Sequence, residues 1–345
     1  MTSESPASPP RTPVRRRFRF IALAPVLAFL ALSAWAFASP VGAGPDDDYH
    51  LVSIWCALDG SEQCEPGSES SNRVMPSAFE NVACYAQDGA RSAACQDEVW
   101  ATWAGDPVEI SRGNFGGEYP PVYYATMRLL AGSDMQVSAL TMRILNAAIF
   151  VAIATALALL LPAARRSTLL WGWLIALVPL GMFLIPSNNP SGWALTGVGT
   201  AFLALLGWFE TSGRRRWMLG ALYVVGMLMA AGARGDAAVY AFGATAVILI
   251  LTFSPGREWW MRAILPAAGL VLALVFFAAA GQSGVGSIGF TGGGSATIPV
   301  AGDTTGEEAP LGGLALAAYN LLMLPFLWTG VWGSWGLGWL DTQLP

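Results

Sequence analysis

The chain has 345 residues, 54% hydrophobic and only 12% charged, whereas a soluble domain carries about 25% charged residues, so lipid must be much of its solvent. A net charge of -5 comes from 23 acidic and 18 basic residues, all of the latter arginine, and that usage beside much Ala and Gly points to a GC-rich genome. No basic stripe interleaved with aromatic residues lies on a polar segment, which leaves nucleic-acid binding without a basis.

A helix needs roughly 20 apolar residues to cross ~30 Å of hydrocarbon. In chain order, residues 1–19 are a Pro- and Ser-rich disordered tail ending in Arg15, Arg16, Arg17 and Arg19. Residues 20–39 form a first span, and 40–136 a long polar loop. Residues 137–281 hold six further spans, at Val137–Leu161, Thr168–Ile185, Gly192–Phe209, Trp217–Ala233, Ala237–Phe253 and Ala263–Gly281. The expected fold class is therefore all-α, a polytopic integral membrane helical bundle with a loop on its extracytoplasmic side. A cleaved signal peptide is the rival reading of the first span, but its apolar run is long for one.

Arginines set the orientation, because positive loops stay cytoplasmic. Arg165 and Arg166, Arg214 to Arg216, and Arg257 with Arg262 all fall in alternate connections. The N-terminus is then cytoplasmic, loop 40–136 lies outside, and the expected location is a bacterial plasma membrane. Residues 282–311, rich in Gly and Thr, read as a flexible outer loop. Residues 312–345 read as a re-entrant or interfacial helix followed by a Trp-rich outer segment with Trp328, Trp332, Trp335 and Trp339 at helical spacing. The abrupt end suggests a truncated chain.

All four cysteines, Cys56, Cys64, Cys84 and Cys95, fall in the long loop, which argues for two disulfides in an oxidising compartment. Three pairings are open, and Cys56 with Cys64 and Cys84 with Cys95 close the shortest loops. A metal site would want a CxxC pair, which is absent. The rest of the loop reads as short helical or irregular pieces rather than alternating strands.

The sharpest signal is Pro45-Asp46-Asp47-Asp48-Tyr49-His50, just past the first span. In a helix opened by Pro45, Asp46 and Asp47 share a face with His50, the one histidine of the chain. Carboxylates at a helix start also serve as caps, yet capping does not need the histidine. Asp46, Asp47 and His50 are the catalytic candidates, and any divalent cation would use Asp46 and Asp47. Glu118-Tyr119-Pro120-Pro121-Val122-Tyr123-Tyr124 follows, ahead of the second span, where tyrosines commonly anchor a membrane interface. Further outer ends carry Asn188, in Ser187-Asn188-Asn189-Pro190, and Arg234 with Asp236. An arginine beside the bilayer suits an anionic head group. Glu118, Tyr123, Tyr124, Asn188, Arg234 and Asp236 are accordingly the candidates for substrate or phosphate contact. Arg143 lies inside the second span, where it either snorkels outward or lines a polar cavity.

These blocks resemble a family. The P-D-D-D-Y-H run is similar to the P-D-E-x-x-H pattern of the bacterial membrane proteins grouped as domain-of-unknown-function family 2142. Y-P-P-V-Y-Y, N-N-P-S-G and the terminal G-W-L-D look like further blocks of it, so the resemblance covers most of the chain from about Ser39. Asp46 and Asp47 match its acidic pair, with Asp47 in place of Glu, and His50 its histidine. Asp48 and the Cys-bearing insertion depart from the pattern. That family in turn resembles the GT-C glycosyltransferases, which use polyprenyl-phosphate sugars and an acidic residue in the first outer loop. The resemblance implies a transferase acting on membrane lipid and a polyprenyl-phosphate sugar donor, with a cell-envelope acceptor. A lipid or polysaccharide flippase and a non-catalytic assembly factor are the rival functions. Polar groups gathered at span ends rather than mid-span disfavour transport.

Overall fold

The computed structural model describes residues 14–281, except 59, 87, 89, 102–106 and 178, and short pieces thereafter at 296–297, 310–311, 314–315, 318–319, 321–323, 336–337 and 342–343. The expected Gly- and Thr-rich loop, apart from 296–297 and 310–311, and the whole tryptophan stripe lie outside the described residues. Twelve α-helices are described up to residue 281: α1 (Val14–Ala38), α2 (Asp47–Trp55), α3 (Ala78–Asn81), α4 (Gln96–Ala101), α5 (Pro121–Arg128), α6 (Met135–Leu160), α7 (Arg166–Ala176), α8 (Pro179–Leu184), α9 (Ser191–Glu210), α10 (Gly213–Ala233), α11 (Gly235–Leu251) and α12 (Arg257–Ala279). Of these, α6, α9, α10 and α12 are long and apolar enough to cross a membrane, and Leu23–Ala38 and Gly235–Leu251 are shorter apolar helices. Each expected span falls on a helix or, at Thr168–Ile185, on two. That window is broken between α7 and α8, where the cap residue Leu177 sits at ψ 68° and Pro179, which has no N–H to donate to an earlier carbonyl, opens α8.

The tightest helix pair is α9 with α10, and small residues are the cause. A Cβ built on Gly197 would lie 2.5 Å from the backbone nitrogen of Ala230, and one on Gly226 would lie 2.7 Å from that of Ala201. Gly197 with Ala201 and Gly226 with Ala230 thus form two facing small-residue pairs at four-residue spacing, which lets the backbones touch and gain dispersion contacts where lipid offers no hydrophobic drive. At one end, arginines from neighbouring helices take up carbonyls that a helix terminus leaves free. Arg262 Nη1 donates to Phe209 O at 2.6 Å, Arg215 Nη2 donates to Leu161 O at 2.6 Å, and Arg165 forks onto Glu210.

The opposite end carries the polar lobe, residues 40–134. The loop does contain strands, which corrects the expectation of helical and irregular pieces alone. β1 (Glu65–Pro66), β2 (Arg73–Pro76) and β3 (Pro107–Ile110) form an antiparallel sheet in that order, with Val74 opposite both Glu65 and Glu109. Segments of two to four residues are too short to show an alternating pattern. Cys56 bonds to Cys64 and Cys84 to Cys95, closing the short loops and pinning a lobe of modest core. That core packs Leu51, Ile54 and Trp55 of α2 against Met75, Phe79 and Val82 on one side and Tyr123 and Met127 of α5 on the other. The helix α5 is seated on the bundle through Gly232 of α10, where an added Cβ would meet Val122 at 2.6 Å.

Gly226→Leu should lower the melting temperature in detergent, since overpacking costs about 1–3 kcal/mol. Gly243→Leu, at a position with nothing within 4 Å, should leave it unchanged. Scanning fluorimetry of the two variants checks this, and equal melting would contradict the close helix contact.

Candidate functional site

Residues 45–50 sit where the lobe meets the bundle. Asp46 is the residue before α2 and takes φ 57°, a left-handed conformation that Asp tolerates better than most side chains. Helix caps ordinarily use extended backbone and a side-chain bond to the first free amides. Here Asp46 makes no such bond, and the Asp47 carboxylate accepts instead from Gly44 N at 2.9 Å, outside the helix. Neither carboxylate is occupied in capping α2.

The turn at Asp46 sends the three acids in different directions. Asp46 and Asp48 reach outward to one cation, Arg112, which donates from Nη2 to Asp46 Oδ1 and from Nε to Asp48 Oδ2, both at 2.6 Å. The Asp46 side chain is 57% exposed. Arg112 is the second residue after β3, so the sheet delivers it, and the guanidinium lies 5.8 Å from the Tyr49 ring centre. Sequence reasoning missed Arg112, although three successive carboxylates were themselves a signal that a cation must come from elsewhere.

Asp47 points inward and is fully buried. Its partner is Arg143 of α6, 3.7 Å away and 3% exposed. Burial pushes the Asp47 carboxyl above its ordinary range, against the pull of Arg143 and of the Gly44 amide. Arg143 does not snorkel. It donates to the carbonyls of Ser39 at 2.7 Å and Pro40 at 2.9 Å, so that one guanidinium closes the end of α1 and faces Asp47. Nearby, Asn146 of α6 donates to Ser187 O at 2.7 Å and accepts from Trp193 Nε1 at 2.8 Å, while Asn189 donates to Pro45 O at 2.7 Å. Asn188 between them is wholly buried, and neither end of its amide has a hydrogen-bond partner among the described residues.

His50 is buried among tyrosines. Its Nδ1 lies 2.9 Å from the Tyr124 hydroxyl, and the rings of Tyr49 and Tyr119 stand edge-on at 5.4 and 5.3 Å. Burial, reinforced by Arg234 and Arg112, lowers its pKa to about 3, so the imidazole is neutral at physiological pH. Asn114 holds this arrangement in place, exchanging two hydrogen bonds with the backbone of Tyr119 while its own N–H donates to Ser53 of α2. Tyr123 and Tyr124 are 0% and 2% exposed, so they do not anchor a membrane interface. Tyr123 instead packs on Trp193.

Arg234 completes the outer group. It forks onto Asp236 at 2.9 and 3.0 Å, donates to Ser191 Oγ at 3.0 Å, and lies 5.6 Å from the Tyr119 ring centre. Tyr119 feels Arg234, Asp46, Asp236 and Arg112 together. The structure therefore gathers Asp46, His50, Tyr124, Arg234 and Asp236 about Tyr119, with exposed Glu118 accepting from the Tyr49 hydroxyl at 3.3 Å. It separates Asp47, Tyr123 and Asn188, which lie on the buried side with Arg143. Asp46 and Asp47 therefore do not converge on a shared cation position, and among the described residues no three His, Cys, Asp or Glu side chains gather as metal ligands.

Beneath Ser191 runs an apolar groove of about 600 Å³ between α7–α8, α9 and α11, lined by Trp173, Leu184, Leu195, Phe202 and Tyr240 among others. Apolar helices of spanning length joined to a disulfide-bearing polar lobe define a helical membrane protein. More narrowly, residues 29–345 match the model of the family described as "Predicted membrane protein (DUF2142)", and the chain belongs to that family. No curated protein and no solved structure matches it.

Two outcomes follow. Arg143→Gln, which leaves Asp47 buried without its cation, should cost about 3–5 kcal/mol of stability, and clearly less in an Asp47→Asn background. Additive losses in denaturation would mean that the pair does not interact. For His50, the folded pKa lies below the unfolded value of 6.5, so its contribution to stability is complete above pH 6.5. Below that it falls by up to about 1.4 kcal/mol per pH unit as the unfolded chain takes the proton. Melting curves between pH 7.5 and 5 should show a steeper acid-side loss in wild type than in His50→Asn.

Proposed function

We propose that the chain is a GT-C-like glycosyltransferase of a bacterial plasma membrane, moving a sugar from a polyprenyl-phosphate donor to an envelope acceptor on the outer face. One observation carries this reading: the apolar groove between α7–α8, α9 and α11 ends at Ser191, and Ser191 is bonded by Arg234, which lies beside Tyr119 and the exposed Asp46 cluster. A long apolar chain fits the groove, and its phosphate would then lie at Arg234, with a sugar above it among Tyr119, Tyr49 and Asp46. The fork of Arg234, which Asp236 holds here, has the geometry that phosphate recognition uses, so the phosphate would exchange with that carboxylate.

In the proposed reaction the acceptor hydroxyl attacks the anomeric carbon, the carbon–oxygen bond to phosphate breaks, and the hydroxyl proton passes to Asp46. The polyprenyl phosphate leaves against Arg234 and Arg112, whose charges offset the one that develops. Asp46 suits the role of base because its side chain is exposed and Arg112 holds it through a single oxygen. Asp47 and His50 suit positioning: the first ties the turn to α6, the second orients Tyr124 and Tyr119.

The test is envelope glycan and lipid-linked sugar analysis in a deletion strain complemented with variants. Asp46→Asn and Arg234→Gln should each lower transfer by about 100-fold or more with protein levels intact, while Asp48→Asn should be tolerated. Unchanged glycan in the Asp46→Asn strain would defeat the catalytic assignment. Donor accumulating on the cytoplasmic leaflet would favour a flippase instead.

A further inference from the structure

At the arginine-rich end of the bundle, far in the chain from Asp46, the ends of α9, α10 and α12 border an open cavity of about 670 Å³ lined by Trp208, Arg216, Trp217, Arg257, Glu258, Met261 and Arg262. The charge balance there is positive once each carboxylate is matched to its partner. Glu258 pairs with Arg262, and Glu210, at the end of α9, pairs with Arg165. Neither Arg216 nor Arg257 has a carboxylate partner among the described residues. Arg216 is held by aromatic faces, its guanidinium 5.3 Å from the Trp208 ring centre and 5.6 Å from that of Trp217, and its buried Nε has no hydrogen-bond partner among the described residues. A planar donor fixed between two rings with unused N–H groups is preorganised for an oxyanion.

Two helices also begin at this cavity. α10 starts at Gly213 and α12 at Arg257; Ser212, before the first, makes no side-chain bond to the free amides, and Gly256, before the second, has no side chain to make one. Both N-terminal ends add positive partial charge on the same side as the arginines. The carbonyl end of α9 does not cancel this, because Phe209 O accepts from Arg262.

The surface bordering the cavity is apolar and open: Trp217, Met218, Trp260, Met261 and Ile264 are all exposed. A small free anion would need the arginines and nothing else. An anion carrying acyl chains would use both, its phosphate at Arg216 and Arg257 and its tails along this flank. A zwitterionic lipid would bring a second cation against the same arginines. We propose that this cavity is a binding site for the head group of an anionic phospholipid in the leaflet on that side of the membrane.

The test is native mass spectrometry of the full-length chain released from nanodiscs of equal parts phosphatidylglycerol and phosphatidylcholine. The wild type should retain phosphatidylglycerol preferentially, and each of Arg216→Gln and Arg257→Gln should cut that preference about fivefold, the contribution of one basic side chain near an anionic surface. The double variant Arg165→Gln with Glu210→Gln, which removes a matched pair at the same end, should keep it. Equal retention of the two lipids by wild type would overturn the proposal whatever the variants do. So would full displacement of phosphatidylglycerol by millimolar inorganic phosphate, which would mark a free-anion site.

Discussion

The constraint on which the loop-bearing end depends is the burial of the Arg143 guanidinium. A charge this far from water needs partners for its N–H groups and an opposite charge for its field. The carbonyls of Ser39 and Pro40 take the two terminal nitrogens, while Nε has no hydrogen-bond partner among the described residues, and Asp47 answers the field. Because those partners lie just past the end of α1 and at the first residue of α2, the arginine dictates how the chain leaves the first helix. Once Asp47 is drawn inward, the left-handed backbone at Asp46 turns its neighbour the other way, toward Arg112. One buried ion pair and one positive φ thereby sort a run of three identical residues into two environments.

That sorting marks the limit of what could be read from the residues. The apolar helices were legible because hydropathy is a property of contiguous sequence: each expected window falls on described helix, and four of those helices are long and apolar enough to cross a membrane. Even the break in the third has a local cause at Pro179. The disulfide-bearing loop was legible as such, since every cysteine falls within it. Its sheet was not, because β1, β2 and β3 are too short for a period, and β3 joins β2 only across the chain between Pro76 and Pro107. Arg112 was invisible for the same reason. Nothing local connects it to Asp46, and only the folded sheet brings the two together.

The tyrosines show a different limit. Tyr123 and Tyr124 precede an apolar helix, and aromatic residues in that position are expected at a membrane interface. The bond between Tyr124 and the histidine, and the seating of α5 on Gly232, place both inside protein instead. A contact with His50, 74 positions away, overrides what the flanking sequence suggests. The aromatic cage also keeps His50 neutral, which makes it a fixed hydrogen-bonding group rather than a charge.

The two ends of the bundle use arginine in two ways, and the difference separates structure from chemistry. Arg143, Arg215 and Arg262 donate to carbonyls at the ends of α1, α6 and α9, work that any helix bundle with few polar side chains must have done. Arg216 and Arg234 each have an aromatic face beneath the guanidinium, and both stand next to a cavity. A guanidinium laid on a ring can turn its N–H edge toward a ligand: the buried Nε of Arg216 has no hydrogen-bond partner among the described residues, and Arg234 is held by the side chains of Asp236 and Ser191, whereas one sunk among backbone carbonyls is fixed. The arginines that can still meet a ligand are therefore distinguished by what lies under them, Tyr119 at the loop-bearing end and Trp208 with Trp217 at the other.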